Sequence, residues 1–134
     1  MGETKKEIKK ITLTDVIKNK EKYQVRDDVT QDLIIDRLDG IITIQKPERS
    51  LCLETIQMAH DPNQADKSNV FVVYNSIVEP NLKDKDLQKE FGCVEPQDIV
   101  EKIFEPGEVD EIAKACFALA GYGNSISKVK DLKN

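Results

Sequence analysis

The apolar positions are sparse in the first part of the chain and predict only a short helix there. Hydroxyl groups at Thr12 or Thr14, followed by Asp15, are typical of a helix start, because they accept hydrogen bonds from free backbone N–H groups. Beyond Lys18 the chain is rich in lysine and poor in apolar residues, so we expect the helix to fray there. We interpret residues 1–30 as a basic, partly disordered or loosely helical N-terminal arm.

A pattern typical of strands begins near Gln31. Two runs rich in isoleucine flank Asp39-Gly40, a dipeptide whose left-handed conformations suit a tight hairpin turn. We predict antiparallel strands over residues 32–38 and 41–46, with Pro47 ending the second. Because a two-stranded hairpin is only marginally stable by itself, its apolar face must pack on helices.

The rest of the chain has the residue spacing of amphipathic helices. We predict helices over the following stretches: 49–60, 65–78, 84–91, one starting at Pro96, Pro106 to Ala120, and a last short helix with Ile126, Val129 and Leu132 on one face. The stretch 65–78 also has strand propensity, but its apolar residues recur at helical intervals. The predicted fold class is α+β, mainly α. A short antiparallel β-hairpin, at about residues 32–46, packs on a bundle of five or six helices in a single domain, 31–134.

Two prolines predict how consecutive helices begin. Pro96 and Pro106 each follow an apolar residue and a glutamate, and proline suits the first turn of a helix, where its missing N–H is not needed. In this register the apolar residue packs on the fourth helical residue as a hydrophobic staple, Val94 on Ile99 and Phe104 on Val109.

The charge distribution separates a basic N-terminal segment from an acidic body. Residues 1–26 carry eight basic and four acidic side chains, whereas the other 108 residues carry 12 basic and 21 acidic ones, for a net charge of -5 overall. This balance argues against a uniformly basic nucleic-acid-binding protein. All apolar runs are far shorter than the roughly 20 residues that cross a bilayer, so we expect no membrane segment and no signal peptide.

The residue types that carry chemistry do not form a recognisable motif. Cys52, Cys93 and Cys116 are too far apart for a Cys-x-x-Cys site, and their odd number fits free, buried thiols in a reducing compartment. The single histidine, His60, falls near the end of a predicted helix, where an imidazole usually contacts the last carbonyl groups. We therefore predict no catalytic residues, no metal site, no cofactor and no enzymatic activity.

Four short segments together resemble a known protein family. They are residues 78–84, 91–96, 103–109 and 119–123, in this order and spacing. The set is similar to the XkdN-like tail assembly chaperones of PBSX-type prophages in Gram-positive bacteria. The resemblance covers roughly residues 11–134.

The resemblance implies a small cytoplasmic protein of the bacterial host that binds the tape measure protein, keeps it soluble during tail assembly and is absent from the mature particle. A longer, frameshifted form of the chain is a second implied partner. A structural tail component, such as a completion or adaptor protein, is the alternative. The basic arm and the last predicted helix, with Ile126, Val129 and Leu132, are least committed to a core, so we expect partner contacts there.

Overall fold

In the computed structural model, which describes residues 8–123 and 125–129, the chain starts with two short helices that bury no side chain. Helix α1 spans Leu13–Lys18, and helix α2 spans Lys20–Tyr23 after a break at Asn19. The lysine-rich stretch that was expected to fray is therefore helical. The division of the chain at residue 30 remains a prediction.

The start of α1 is capped as predicted. The Thr12 hydroxyl accepts a hydrogen bond from the N–H of Asp15 at 3.1 Å, and the Asp15 carboxylate accepts one from the N–H of Thr12 at 3.1 Å. This reciprocal pair satisfies two backbone donors that the first helical turn leaves without an intrahelical partner.

Among the residues that the structure describes, three antiparallel strands follow, in the spatial order β1-β2-β3. Their bounds are Thr30–Ile35, Gly40–Gln45 and Ile77–Glu79. The predicted hairpin is confirmed, but its turn is longer than expected. Asp36–Leu38 form a 3-10 turn, and Asp39 closes it in the left-handed conformation with φ 49°. The prediction that residues 36–38 belong to the first strand is therefore wrong.

In the described part of the chain, five further α-helices form the bundle on which the sheet packs, a number within the predicted range. They are α3 Arg49–Ala59, α4 Ser68–Ser76, α5 Lys85–Glu90, α6 Asp98–Ile103 and α7 Pro106–Leu119. The ambiguous stretch is helical over α4, which packs against α3, α6 and α7. The prediction that residues 77 and 78 belong to the same helix is wrong, because they lie in β3. The fold is α+β and mainly α, as predicted.

One hydrophobic core joins the inner face of the sheet to these helices. Its buried members include Ile35, Ile42, Ile44, Val72, Val73, Ile99, Val100, Ile112 and Cys116. Because side chains alternate along a strand, Ile34 and Ile41, which pair across β1 and β2, point away from this core and are largely exposed. The hairpin therefore has a second apolar pair on its outer face.

Helix α7 begins as predicted. Pro106 is its first residue, and the Glu108 carboxylate accepts a hydrogen bond from the N–H of Glu105 at 2.8 Å. Phe104 and Val109 are both buried in the core, where the hydrophobic staple places them.

The predicted start of the preceding helix at Pro96 is wrong. Helix α6 begins two residues later, at Asp98, whose carboxylate accepts hydrogen bonds from the N–H groups of Val94 and Glu95 at 3.1 and 2.8 Å. These bonds hold the segment before the helix as a turn. Val94 is consequently almost fully exposed and does not pack on Ile99.

Helix α7 ends at a glycine, as predicted. Gly121 has φ 93°, and the N–H groups of Gly121 and Tyr122 donate to the carbonyls of Ala118 and Phe117, each at 3.0 Å. This is the hydrogen-bond pattern of a Schellman cap, in which a left-handed glycine satisfies the last helical carbonyls. Residues 125–129 contain no α-helix, so the last predicted helix is not found in that stretch.

Candidate partner-binding site

The reactive side chains are spread through the fold, and two of the three thiols are buried. Burial raises the pKa of the Cys116 thiol to about 11, with a smaller opposing effect from the Ser76 hydroxyl, and it also raises the pKa of Cys52. Both thiols therefore stay protonated near neutral pH and lack the thiolate of a nucleophile. Within residues 8–123 and 125–129, no group of three or more His, Cys, Asp or Glu side chains is placed to hold a metal ion.

The single histidine is exposed at the end of α3. Its Nδ1 lies 2.8 Å from the carbonyl oxygen of Ile56, which is the helix-end contact predicted for His60. The third thiol, Cys93, is half-buried against the edge of the core. Because the two buried thiols are protonated and the described ranges offer no set of metal ligands, the surface features are the stronger candidates for a functional site.

A groove of about 380 Å³ lies between β1 and α7. One wall is the stretch Leu33 to Arg37, and the other is a face of α7 with Glu108, Glu111, Ile112 and Ala115. Because strand side chains alternate, consecutive residues line one groove only where it follows the edge of a strand. In the sheet of the described residues that edge of β1 is unpaired. We call this feature the edge groove.

Arg37 joins the two walls of the edge groove. Its Nε and Nη2 donate to the Glu108 carboxylate at 3.0 and 2.9 Å, and Nη2 also donates to the carbonyl of Ile103 at 2.6 Å. A guanidinium that meets a carboxylate through two parallel bonds is a geometrically specific ion pair. Hydrogen bonding to Arg37 holds the pKa of Glu108 below its usual range, and the N–H of Glu105 adds to this effect.

The Arg37–Glu108 pair makes the stability of the fold depend on pH. Because the pKa of Glu108 is lowered by folding, its stabilising contribution is present above the ordinary glutamate value of 4.5 and is lost as the pH falls through the lowered value. We expect Glu108→Gln to lower the melting temperature near neutral pH, and this difference from the parent chain to shrink in acid. Thermal melts at a series of pH values measure both effects.

Glu111→Gln is the matched control for this measurement. It removes a carboxylate from the same face of α7, and no hydrogen bond joins Glu111 to Arg37 in the described chain. The control should change the melting temperature less than Glu108→Gln does near neutral pH. A Glu108→Gln effect that stays constant into acid would contradict the assignment.

The N-terminal arm exposes an apolar stripe. Leu13, Val16 and Ile17 occupy positions i, i+3 and i+4 of α1 and are 76%, 41% and 68% exposed. We call these three residues the arm stripe. Such spacing places side chains on one helical face, which normally packs against another surface. The body of the described chain leaves this face uncovered.

The segment after α7 is also exposed where it is described. Ile126 and Val129 are 92% and 70% exposed, and Leu132 lies outside the described residues. A role for these three residues in partner binding stays a prediction.

The edge groove and the outer pair Ile34 and Ile41 were missed in the sequence. The apolar run Leu33 to Ile35 is the sequence pattern that could have indicated them. Three consecutive side chains of a strand cannot all point to one core, so at least one of them must face another surface. The excess isoleucine therefore marks a second apolar surface on the hairpin.

Comparisons with known proteins identify relatives by sequence and by fold. A family profile described as phage XkdN-like tail assembly chaperone protein matches residues 49–133, more than half of the chain. The fold is similar to that in a crystal structure of the protein YqbN, with a TM-score of 0.56, 12% sequence identity, and coverage of 75% of this chain and 91% of that one. No curated protein matches the sequence. Within the described ranges, no helix has the length and apolar character needed to cross a membrane.

Proposed function

The chain belongs to the family of XkdN-like phage tail assembly chaperones, and on this basis we propose that it binds the tape measure protein and keeps it soluble while a tail is assembled. Family membership gives the general role, which is phage tail assembly. The tape measure protein as client, the bacterial cytoplasm as location and absence from the mature particle belong to the proposal. So does action without catalysis or a cofactor.

The observation that carries this proposal is the exposed apolar surface at both ends of a fold whose core is already complete. The arm stripe and the pair Ile126 and Val129 contribute nothing to that core. A helix with an exposed apolar face can lie along the apolar stripe of a long helical client, as in other helix-in-groove recognition. Burial of such stripes on both partners removes the surface through which an unassembled client aggregates.

The charge of the body supports the same role. The chain has a net charge of -5, with its basic residues concentrated at the N-terminus. A protein whose net charge is far from zero resists self-precipitation and raises the solubility of a complex that it covers. The body can therefore keep the client dispersed while the arm makes contact.

Co-expression with the tape measure protein of the same phage genome tests the proposal. We expect the soluble fraction of the tape measure protein to rise and the two proteins to copurify. An unrelated acidic protein of similar size, expressed at the same level, is the control for charge alone. Unchanged solubility together with no copurification would contradict the proposal.

Mass spectrometry of purified phage particles tests whether the chain is absent from the mature particle. The chaperone role predicts that the chain is absent from finished tails, whereas a structural tail component would be present in fixed stoichiometry. A longer, frameshifted form of the chain is proposed as a second partner. Mass spectrometry of the complex copurified with the tape measure protein should be used to search for it.

A further inference from the structure

The edge groove has an apolar floor and an acidic rim. Leu33, Ile112 and Ala115 line it with carbon, while Asp36, Glu108 and Glu111 supply carboxylates. Arg37 pairs with Glu108 through two hydrogen bonds, so the positive charge of Arg37 neutralises that carboxylate. The carboxylates of Asp36 and Glu111 give the groove a net negative charge. The chemistry that complements such a groove is a short apolar stripe with positive charges beside it.

The N-terminal arm has this chemistry. The arm stripe is exposed along α1, and lysines flank it at Lys10, Lys18 and Lys20. From residue 8 to residue 26 the chain carries six basic and two acidic side chains. The arm therefore matches the edge groove in both apolar character and sign of charge.

The arm joins the body at a distance from the groove of its own molecule. The N–H of Lys46 donates to the carbonyl of Val29, and the Lys46 ammonium donates to the carbonyl of Arg26, which fixes the connection beside the first residues of β1. A second cavity places Val25 near Leu119, at the C-terminal end of α7. The edge groove lies at the opposite ends of both elements.

We infer that α1 of one copy of the chain binds the edge groove of a second copy. The two surfaces of this contact are different, so copies either extend into a chain with a free α1 at one end and a free groove at the other, or close into a dimer when two copies exchange their α1 helices. The contact requires only residues of this chain and does not depend on the tape measure protein. Because lysines meet carboxylates at its rim, it weakens as salt rises.

Sedimentation velocity of the purified full-length chain over a concentration series tests the association. We expect the average mass to rise above the 15.2 kDa of one chain, and to rise less in high salt. A mass of one chain at every concentration would overturn the inference. An association that strengthens in salt would also overturn it, because the charged rim would then not contribute.

Two variants locate the contact without disturbing the core, because all four substituted side chains are exposed. The helix variant is Leu13→Asp with Ile17→Asp, and the groove variant is Ile34→Lys with Glu111→Arg. We expect each to associate with itself at least about tenfold more weakly than the parent chain. Circular dichroism verifies that both remain folded. Ile126→Asp is the matched control, and it should associate like the parent.

Mixing the two variants separates a contact between α1 and the edge groove from a contact between two copies of the same surface. The helix variant keeps an intact groove and the groove variant keeps an intact α1, so together they should form a one-to-one dimer that does not grow further. A mixture that stays monomeric would overturn the inference. So would a helix variant that associates as strongly as the parent chain.

Discussion

Replacing Ile44 with alanine is expected to lower the free energy of unfolding by about 2–5 kcal/mol. Ile44 is fully buried on the central strand, where it is opposite Gln31 of β1 and Ile77 of β3. Truncation removes apolar area from the core and leaves a cavity that the flanking strands cannot close. Since small domains are stable by only about 5–15 kcal/mol, the variant should lose a large part of its stability.

Ile41→Ala is the control for this measurement, because Ile41 lies on the same strand but faces outward. It is 61% exposed and pairs with Ile34 across the hairpin, so its truncation should change stability by less than about 1 kcal/mol. Urea denaturation followed by circular dichroism gives both values. Equal losses for the two variants would show that the faces of the hairpin have been assigned wrongly.

The elements that could be predicted from the sequence are those set by neighbours along the chain. Thr12 and Asp15 cap each other across three residues, Pro106 begins α7, and Gly121 ends it through hydrogen bonds within five residues. The Asp39-Gly40 turn is equally local. Each signal acts within one turn of the backbone, so a short window of sequence contains its whole cause.

The features that were missed depend on parts of the chain that meet only after folding. Strand β3 has three residues and forms because β2 offers Ile44 as the partner of Ile77. The late start of α6 is the exception, because it is set locally by the Asp98 carboxylate, which accepts hydrogen bonds from N–H groups three and four residues earlier. Neither event leaves a periodic pattern, which is the main signal that sequence reasoning uses.

The edge groove is the clearest example of this limit. Its two walls meet through Arg37 and Glu108, which are 71 residues apart in the sequence. Paired carboxylates on α7 look like an ordinary solvated helix start until β1 is placed beside them. The exposed terminal residues, in contrast, could be proposed as contacts from the sequence because they have no obvious place in a core.

The largest functional effect is expected from the helix variant, Leu13→Asp with Ile17→Asp, which should lose the ability to keep the tape measure protein soluble. Two carboxylates placed on the arm stripe would have to be desolvated against an apolar client. We expect the affinity for the client to fall at least about tenfold. The soluble fraction of the coexpressed client and the amount that copurifies measure the loss.

The groove variant should behave in the opposite way toward the client. It cannot hold α1 of a second copy, so a larger fraction of its arm stripes is free to bind the client. The apparent affinity for the client should therefore rise, by a factor equal to one divided by the fraction of arm stripes that is free in the parent chain. Loss of the client in the groove variant would show that the client binds the edge groove instead. If the helix variant keeps the client as soluble as the parent chain does, the arm stripe is not part of the client contact. Its role in the contact between copies is then tested by sedimentation alone.

The C-terminal segment completes this comparison, because it belongs to the proposed client contact and not to the contact between copies. Ile126→Asp with Val129→Asp should weaken client binding and leave the self-association of the chain unchanged. The helix variant should weaken both, and the groove variant only the self-association. Three variants with three different pairs of outcomes assign each surface separately, and circular dichroism shows whether the loss of both activities in the helix variant comes from a loss of folding.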